Sequence, residues 1–198
     1  MKVKICGLYR EEDIEYINQY KPDYCGFIID FERSHRNVDV TSLKRLSSKV
    51  DSSIQKVGVF VDEDIHTVCS LLEENVIDLV QLHGQENEDY IKKVKETKKP
   101  VIKYFKIASQ EDVQKALGSS ADFILLDNGW GTGKTFDWNL LKDVNRDYFL
   151  AGGINIDNVK EAMNLHPYCL DISSGVEVNK VKNEEKIKEI ISVIRKEK

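Results

Sequence analysis

The thiol of Cys6 and the carboxyl of Asp127 are the side chains best suited to proton transfer. Each ends a short apolar run, Lys4-Ile5-Cys6 and Leu125-Leu126-Asp127. A thiol and a carboxyl at opposite sides of one mouth can serve as base and acid toward one substrate. The ordinary alternatives are a buried, inert thiol and a carboxylate that caps a turn. Lys4 lies two residues before Cys6, so in a strand the two share a face. A cation there is expected to hold Cys6 as thiolate. Arg36, in Ser34-His35-Arg36, carries a fork that fits a carboxylate, unless it is a solvated loop charge. His83, in Gln81-Leu82-His83-Gly84, reads as a satisfied strand-end residue.

Two glycine-bearing segments suit an anion. Gly152-Gly153 and Ser173-Ser174-Gly175 each follow an apolar run. Glycine lets the backbone approach a phosphate and turn its N–H groups toward it. The alternative is a pair of plain strand–helix turns. The loop from Asn128 to Thr135 resembles a phosphate loop only superficially. The G-x-x-x-x-G-K-[ST] spacing needs Gly at position 128, which is Asn. Three glycines and Trp130 suggest a lid over a site instead, and Asp137 reads as a helix N-cap.

These groups need a scaffold that brings distant strand ends together. Strands are expected at Val3–Leu8, Tyr24–Ile29, Ile54–Val61, Asp78–Leu82, Val101–Phe105, Phe123–Leu126, Tyr148–Ala151 and Cys169–Ile172. Amphipathic stretches lie between them. The clearest is the last, with Ile187, Ile190, Ile191 and Ile194 at helical spacing. Strand ends recur on average about every 24 residues, close to the minimum for a strand, a helix and two short loops. Eight such units predict an α/β fold, a (βα)8 barrel of eight parallel strands over residues 1–198, with an open sheet as the alternative. In a barrel, chemistry sits at the C-terminal strand ends, where every group named above falls.

Composition narrows the classes. With 29 Lys and Arg against 34 Asp and Glu, the net charge of −5 lacks the basic excess of a nucleic-acid binder. No apolar run approaches a membrane span, and no signal-peptide block opens the chain. The four cysteines lie far apart with no CxxC pair, which points to a reducing, cytoplasmic setting. Cys25, Cys69 and Cys169 read as core thiols. His66 and His166 read as surface groups on helices, and residues 92–99 and 182–198 as solvated helix faces. Oligomeric state stays open.

Seven segments taken in order resemble the phosphoribosylanthranilate isomerase family along the whole chain. They are Lys4-Ile5-Cys6-Gly7, Val57-Gly58-Val59-Phe60, Gln81-Leu82-His83-Gly84, Leu125-Leu126-Asp127, Gly131 to Trp138, Leu150-Ala151-Gly152-Gly153-Ile154 and Asp171 to Glu177. The resemblance implies an Amadori rearrangement of N-(5-phosphoribosyl)anthranilate, a small phosphosugar, without metal or cofactor. It implies Asp127 as general acid and Cys6 as general base. Arg36 would hold the anthranilate carboxylate, and Gln81, His83 and Asp171 would line the mouth near the sugar. Gly152, Gly153, Ser173, Ser174 and Gly175 would hold the phosphate. The chain departs from the family at His35, at Trp130 and at Val181-Lys182-Asn183.

Three other readings compete. The isomerase of histidine synthesis would show Asp at the first strand end and a half-barrel repeat, and Cys6 stands there instead. A barrel kept only for binding would be expected to lose Cys6 or Asp127. An open-sheet nucleotide binder would carry G-x-G-x-x-G after the first strand, which is missing.

Overall fold

The computed structural model describes residues 1–129 and 135–196. Eight parallel strands form the barrel: β1 (Lys2–Cys6), β2 (Tyr24–Ile29), β3 (Gln55–Phe60), β4 (Leu79–Leu82), β5 (Val101–Lys106), β6 (Phe123–Asp127), β7 (Tyr148–Leu150) and β8 (Cys169–Ile172). Each pairs with the next. Closure comes from β1, which pairs with both β2 and β8, Lys4 lying beside Tyr24 and beside Asp171. All eight expected strands are present, with ends moved by at most two residues.

The helices are α1 (Glu11–Tyr20), α2 (Val40–Ser47), α3 (Ile65–Glu73), α4 (Glu88–Lys95), α5 (Gln110–Leu117), α6 (Val159–Met163) and α7 (Glu184–Lys196). Side-chain caps start several of them: Asp39 accepts from Ser42 N–H, Asn87 from Tyr90 N–H and Ser109 from Asp112 N–H. The β6–β7 connection departs from the eight-helix expectation. Among the described residues it carries only a 3-10 turn, Trp138–Leu141, whose entry Asp137 caps as expected. Trp130 to Lys134, the core of the expected lid, lie outside the described residues.

Strand alternation sorts side chains into two cores. Outward residues such as Val3, Ile5, Phe27 and Phe60 pack under the helices with Ile187, Ile190, Ile191 and Ile194 of α7. Inward residues Tyr24, Val57, Leu79, Ile102, Leu125, Phe149 and Cys169 fill the barrel itself. At burial of this extent the apolar term dominates stability. Toward the C-terminal ends the inward set turns partly polar, with Lys4 and Cys6 on β1, Gln81 on β4, Asp127 on β6 and Asp171 on β8 beside Val59 of β3. Among the described residues no helix is long and apolar enough to cross a membrane.

Two small elements were not expected. A two-residue strand, Asn37–Val38, pairs with the end of β2 and fixes the loop that carries Arg36. An antiparallel pair sets Glu177 opposite Lys182 and Val178 opposite Val181. Its turn residues Asn179 and Lys180 have φ of +51° and +67°, the primed geometry that matches the twist of a two-residue hairpin. Three expectations about burial and placement are corrected. Cys69 is half-buried on α3 rather than a core thiol. His166 is exposed but lies past α6, at φ +51°. Lys182 is buried, because its hairpin folds it back under the β8 loop.

Candidate active site

One cavity of about 780 Å³ opens at the C-terminal end of the barrel. Cys6, Arg36, Gln81, His83, Asp127, Gly152, Gly153, Asp171, Ser173 and Ser174 all line it. Gly175 alone of the expected set stands behind the wall, in a 3-10 turn of Ser174–Val176. A Cβ built on Gly175 would lie 1.9 Å from the Ile154 carbonyl oxygen. This glycine therefore lets the β7 and β8 loops meet. Gly152 and Gly153 have φ of +93° and +67°, and a Cβ on Gly152 would come within 2.7 Å of Asp127 Oδ1.

A buried polar chain crosses the floor. The Lys4 ammonium donates to Asp171 Oδ2 at 2.7 Å and to Gln81 Oε1 at 2.5 Å. Gln81 Nε2 lies 2.9 Å from His83 Nδ1. Burial alone would neutralise Lys4, but the Asp171 carboxylate reverses the sign and holds its pKa above the ordinary value. The other Asp171 oxygen, Oδ1, is buried and has no hydrogen-bond partner among the described residues. His83 stacks on Tyr104, ring centroids 4.0 Å apart. Burial, with the Lys4 and Lys103 charges, pushes its pKa down to about 3. His83 is therefore neutral at physiological pH.

Asp127 sits at the end of β6, its Oδ1 accepting from Gly129 N–H at 3.0 Å. Burial raises its pKa to about 6, against the backbone hydrogen bond. A carboxyl so placed is a competent acid near neutral pH. Cys6 departs from expectation. Lys4 does pull its pKa down, but burial outweighs that and the thiol titrates above its ordinary 9.0. The Lys4 charge is already committed to Asp171, so it cannot hold a resting thiolate.

Arg36 is not a solvated loop charge. Its Nε and Nη2 donate to the two carboxylate oxygens of Glu177 at 2.7 and 2.8 Å. Lys182 Nζ donates to the same carboxylate at 2.7 Å and to the Ser173 carbonyl at 3.0 Å. Burial pushes the Glu177 pKa up, but Arg36 and Lys182 more than offset it and keep the carboxylate ionised. The Ser173 hydroxyl in turn donates to the Cys6 carbonyl at 3.0 Å. The solvated face expected over residues 182–198 does not extend to Lys182, and the motif that contains Glu177 gives that carboxylate no role of its own. The signal available was the placement of a carboxylate and a lysine on either side of Asn179-Lys180, a short turn.

Closed parallel strands, an acid and a thiol on inward positions, and a basic rim define a (βα)8-barrel enzyme with a site for a small anionic substrate. A family model described as N-(5'phosphoribosyl)anthranilate (PRA) isomerase matches residues 3–193. The N-(5'-phosphoribosyl)anthranilate isomerase of Endomicrobium trichonymphae is 47% identical over 201 residues, covering 98% of each chain. The crystal structure of the Thermus thermophilus phosphoribosyl anthranilate isomerase superposes with a TM-score of 0.87 at 30% identity, covering 100% of both chains. A second solved isomerase, in complex with reduced 1-(o-carboxyphenylamino)-1-deoxyribulose 5-phosphate, gives 0.87 at 31% over 99% of both. The chain belongs to the phosphoribosylanthranilate isomerase family, the isomerases of tryptophan biosynthesis.

Proposed function

We propose that this chain, acting as one barrel unit over residues 1–198, isomerises N-(5'-phosphoribosyl)anthranilate with Asp127 as general acid and Cys6 as general base. The observation that carries the reading is their shared cavity, with the Asp127 carboxyl held near pH 6. Asp127 gives its proton to the ribose ring oxygen as the C1–O bond breaks. The anilino nitrogen pair then forms the C1=N bond of the Schiff base. Cys6 first gives its own proton to solvent, and the thiolate so formed takes the proton from C2, whose electrons give the enolamine. Tautomerisation leaves the C2 ketone and a C1 methylene.

The rest of the cavity binds. The Gly152-Gly153 and Ser173–Gly175 loops meet through the Gly175 contact and hold the phosphate. Glu177 occupies the side-on fork of Arg36, formed by Nε and Nη2. The end-on fork of Nη1 and Nη2 remains for the anthranilate carboxylate. Asp171 Oδ1 accepts from a sugar hydroxyl, and Gln81 and His83 line the sugar side. Every step is a proton transfer, so turnover is expected to survive metal chelation and to need no cofactor. The thiols suit a reducing cytoplasm.

The test follows loss of fluorescence of N-(5'-phosphoribosyl)anthranilate, generated in place from anthranilate and phosphoribosyl pyrophosphate. Wild type turns over with chelator present. Cys6→Ser and Asp127→Asn lose several orders of magnitude, at or beyond the ~10²–10⁴ typical of one acid–base group. A folded wild type without activity overturns the substrate assignment. A variant at near wild-type rate overturns the role of that residue.

A further inference from the structure

Arg36 is offered as the carboxylate receptor, yet it already holds a carboxylate. Its fork to Glu177 is bidentate and half-buried. An arginine neutralised in this way has little net attraction left for a second anion at the same site. Lys182 changes that balance. It is 2% exposed and does not line the cavity. Its ammonium donates to Glu177 Oε1, the oxygen that also accepts from Arg36 Nε, from directly across the hairpin register. Two cations then flank one carboxylate, and the cluster keeps a single net positive charge. The low dielectric of the buried side lets that charge act at short range.

We propose that Lys182 is a positioning residue for substrate selection: by offsetting the charge of Glu177, it leaves the free end-on fork of Arg36 able to bind the substrate's aromatic carboxylate. Glu177 fixes the direction of the guanidinium, and Lys182 keeps the pair cationic. The hairpin turn at Asn179-Lys180 exists to hold this register. The same ammonium bonds the Ser173 carbonyl, and Ser173 bonds the Cys6 carbonyl. The carboxylate end of the site is thus tied to the β8 loop and to the strand that carries the base. The inference rests on the assignment of Arg36 to the substrate carboxylate.

Calorimetry on the full chain tests it with two probes. One is reduced 1-(o-carboxyphenylamino)-1-deoxyribulose 5-phosphate, and the other is the same molecule without the ring carboxylate. Their affinity ratio reads carboxylate recognition alone. Lys182→Met is expected to shrink the ratio on the order of tenfold, and any loosening of the Ser173 loop weakens both probes alike and cancels in the ratio. The double variant Glu177→Gln with Lys182→Met restores the net charge and is expected to recover the ratio to within about threefold of wild type. An unchanged ratio in Lys182→Met, or equal weakening of both probes, overturns the proposal. So does a double variant that fails to recover. Should Lys182→Met not fold, the double variant, which buries no unpaired charge, decides the matter by keeping or losing the ratio. Arg36→Gln separates the two layers. If it shrinks the ratio while Lys182→Met does not, only this proposal fails. If it leaves the ratio unchanged, the Arg36 assignment fails with it.

Discussion

Replacing Asp127 with Asn should destroy turnover and stabilise the fold. The cause is the burial that raises the Asp127 pKa. Its pKa is raised from 3.8 to about 6, so the folded state binds this proton more tightly than the unfolded chain does. Below pH 3.8 both states are protonated and the residue is neutral in the balance. As pH rises through 3.8 toward 6, the unfolded chain loses its proton first, and folding becomes progressively less favourable. Above 6 the full cost is present. A shift of about 2.2 units corresponds to about 3 kcal/mol. The carboxyl borders an open cavity, and water there screens the charge, so about 1–2 kcal/mol is expected. Asparagine keeps an oxygen for the Gly129 N–H and removes the charge. Urea unfolding at pH 8 should therefore show Asp127→Asn more stable by that amount, a rise of roughly 3–6 °C in Tm for a chain of this size. At pH 4.5, where much of the wild-type carboxyl is protonated in the folded state, the gain should fall to about half to two-thirds of that. A variant no more stable than wild type at pH 8, or one with the same gain at both pH values, would refute the reasoning.

Three further outcomes follow from the same contacts. Lys4→Met leaves the Asp171 carboxylate buried without its cation, and urea unfolding should show a loss of about 3 kcal/mol, recovered in large part by adding Asp171→Asn; a loss under about 1 kcal/mol would mean that water reaches the pair. Gly175→Ala drives a Cβ into the Ile154 carbonyl. The β7 and β8 loops must part, and binding of the reduced product analogue should weaken at least about tenfold, whereas a twofold change would separate that contact from phosphate binding. Alkylation of Cys6 by iodoacetamide, followed by mass spectrometry, should be slower at pH 7 than for a free thiol and still rising above pH 9. A rate that levels off below pH 8 would instead reveal a resting thiolate.

Much of this molecule is legible in its sequence, for identifiable reasons. The eight strands announce themselves because each is a short β-branched or aromatic run bounded by polar turns, as in Tyr24–Ile29. Alternation then assigns the faces: once Cys6 is inward, Lys4 is too, and Leu125 predicts Asp127. The β6–β7 connection fails this reading because among its described residues only one 3-10 turn forms, Trp138–Leu141, and nothing local records that. Charge partners fail for a deeper reason. Lys4 and Lys182 are the same residue type in charge-rich stretches, and only tertiary contact makes one a partner of Asp171 and the other of Glu177. The same holds for Cys6. A lysine two residues away lowers a thiol pKa in an exposed site, but here burial is the larger effect, and Asp171 takes the cation's charge. The Glu177 fork on Arg36 spans 141 residues of chain, beyond any pattern of spacing.

In the proposed reaction Cys6 removes the proton from C2 after Asp127 has opened the ring. Substrate deuterated at C2 of the ribose tests it most directly, with release of label to solvent followed by mass spectrometry of the product. Wild type should release label in step with turnover. Cys6→Ser and Asp127→Asn should release almost none, while both still bind the reduced product analogue with affinity near that of wild type. Label released at near wild-type rate by Cys6→Ser would contradict the account and pass the base to another group lining the cavity.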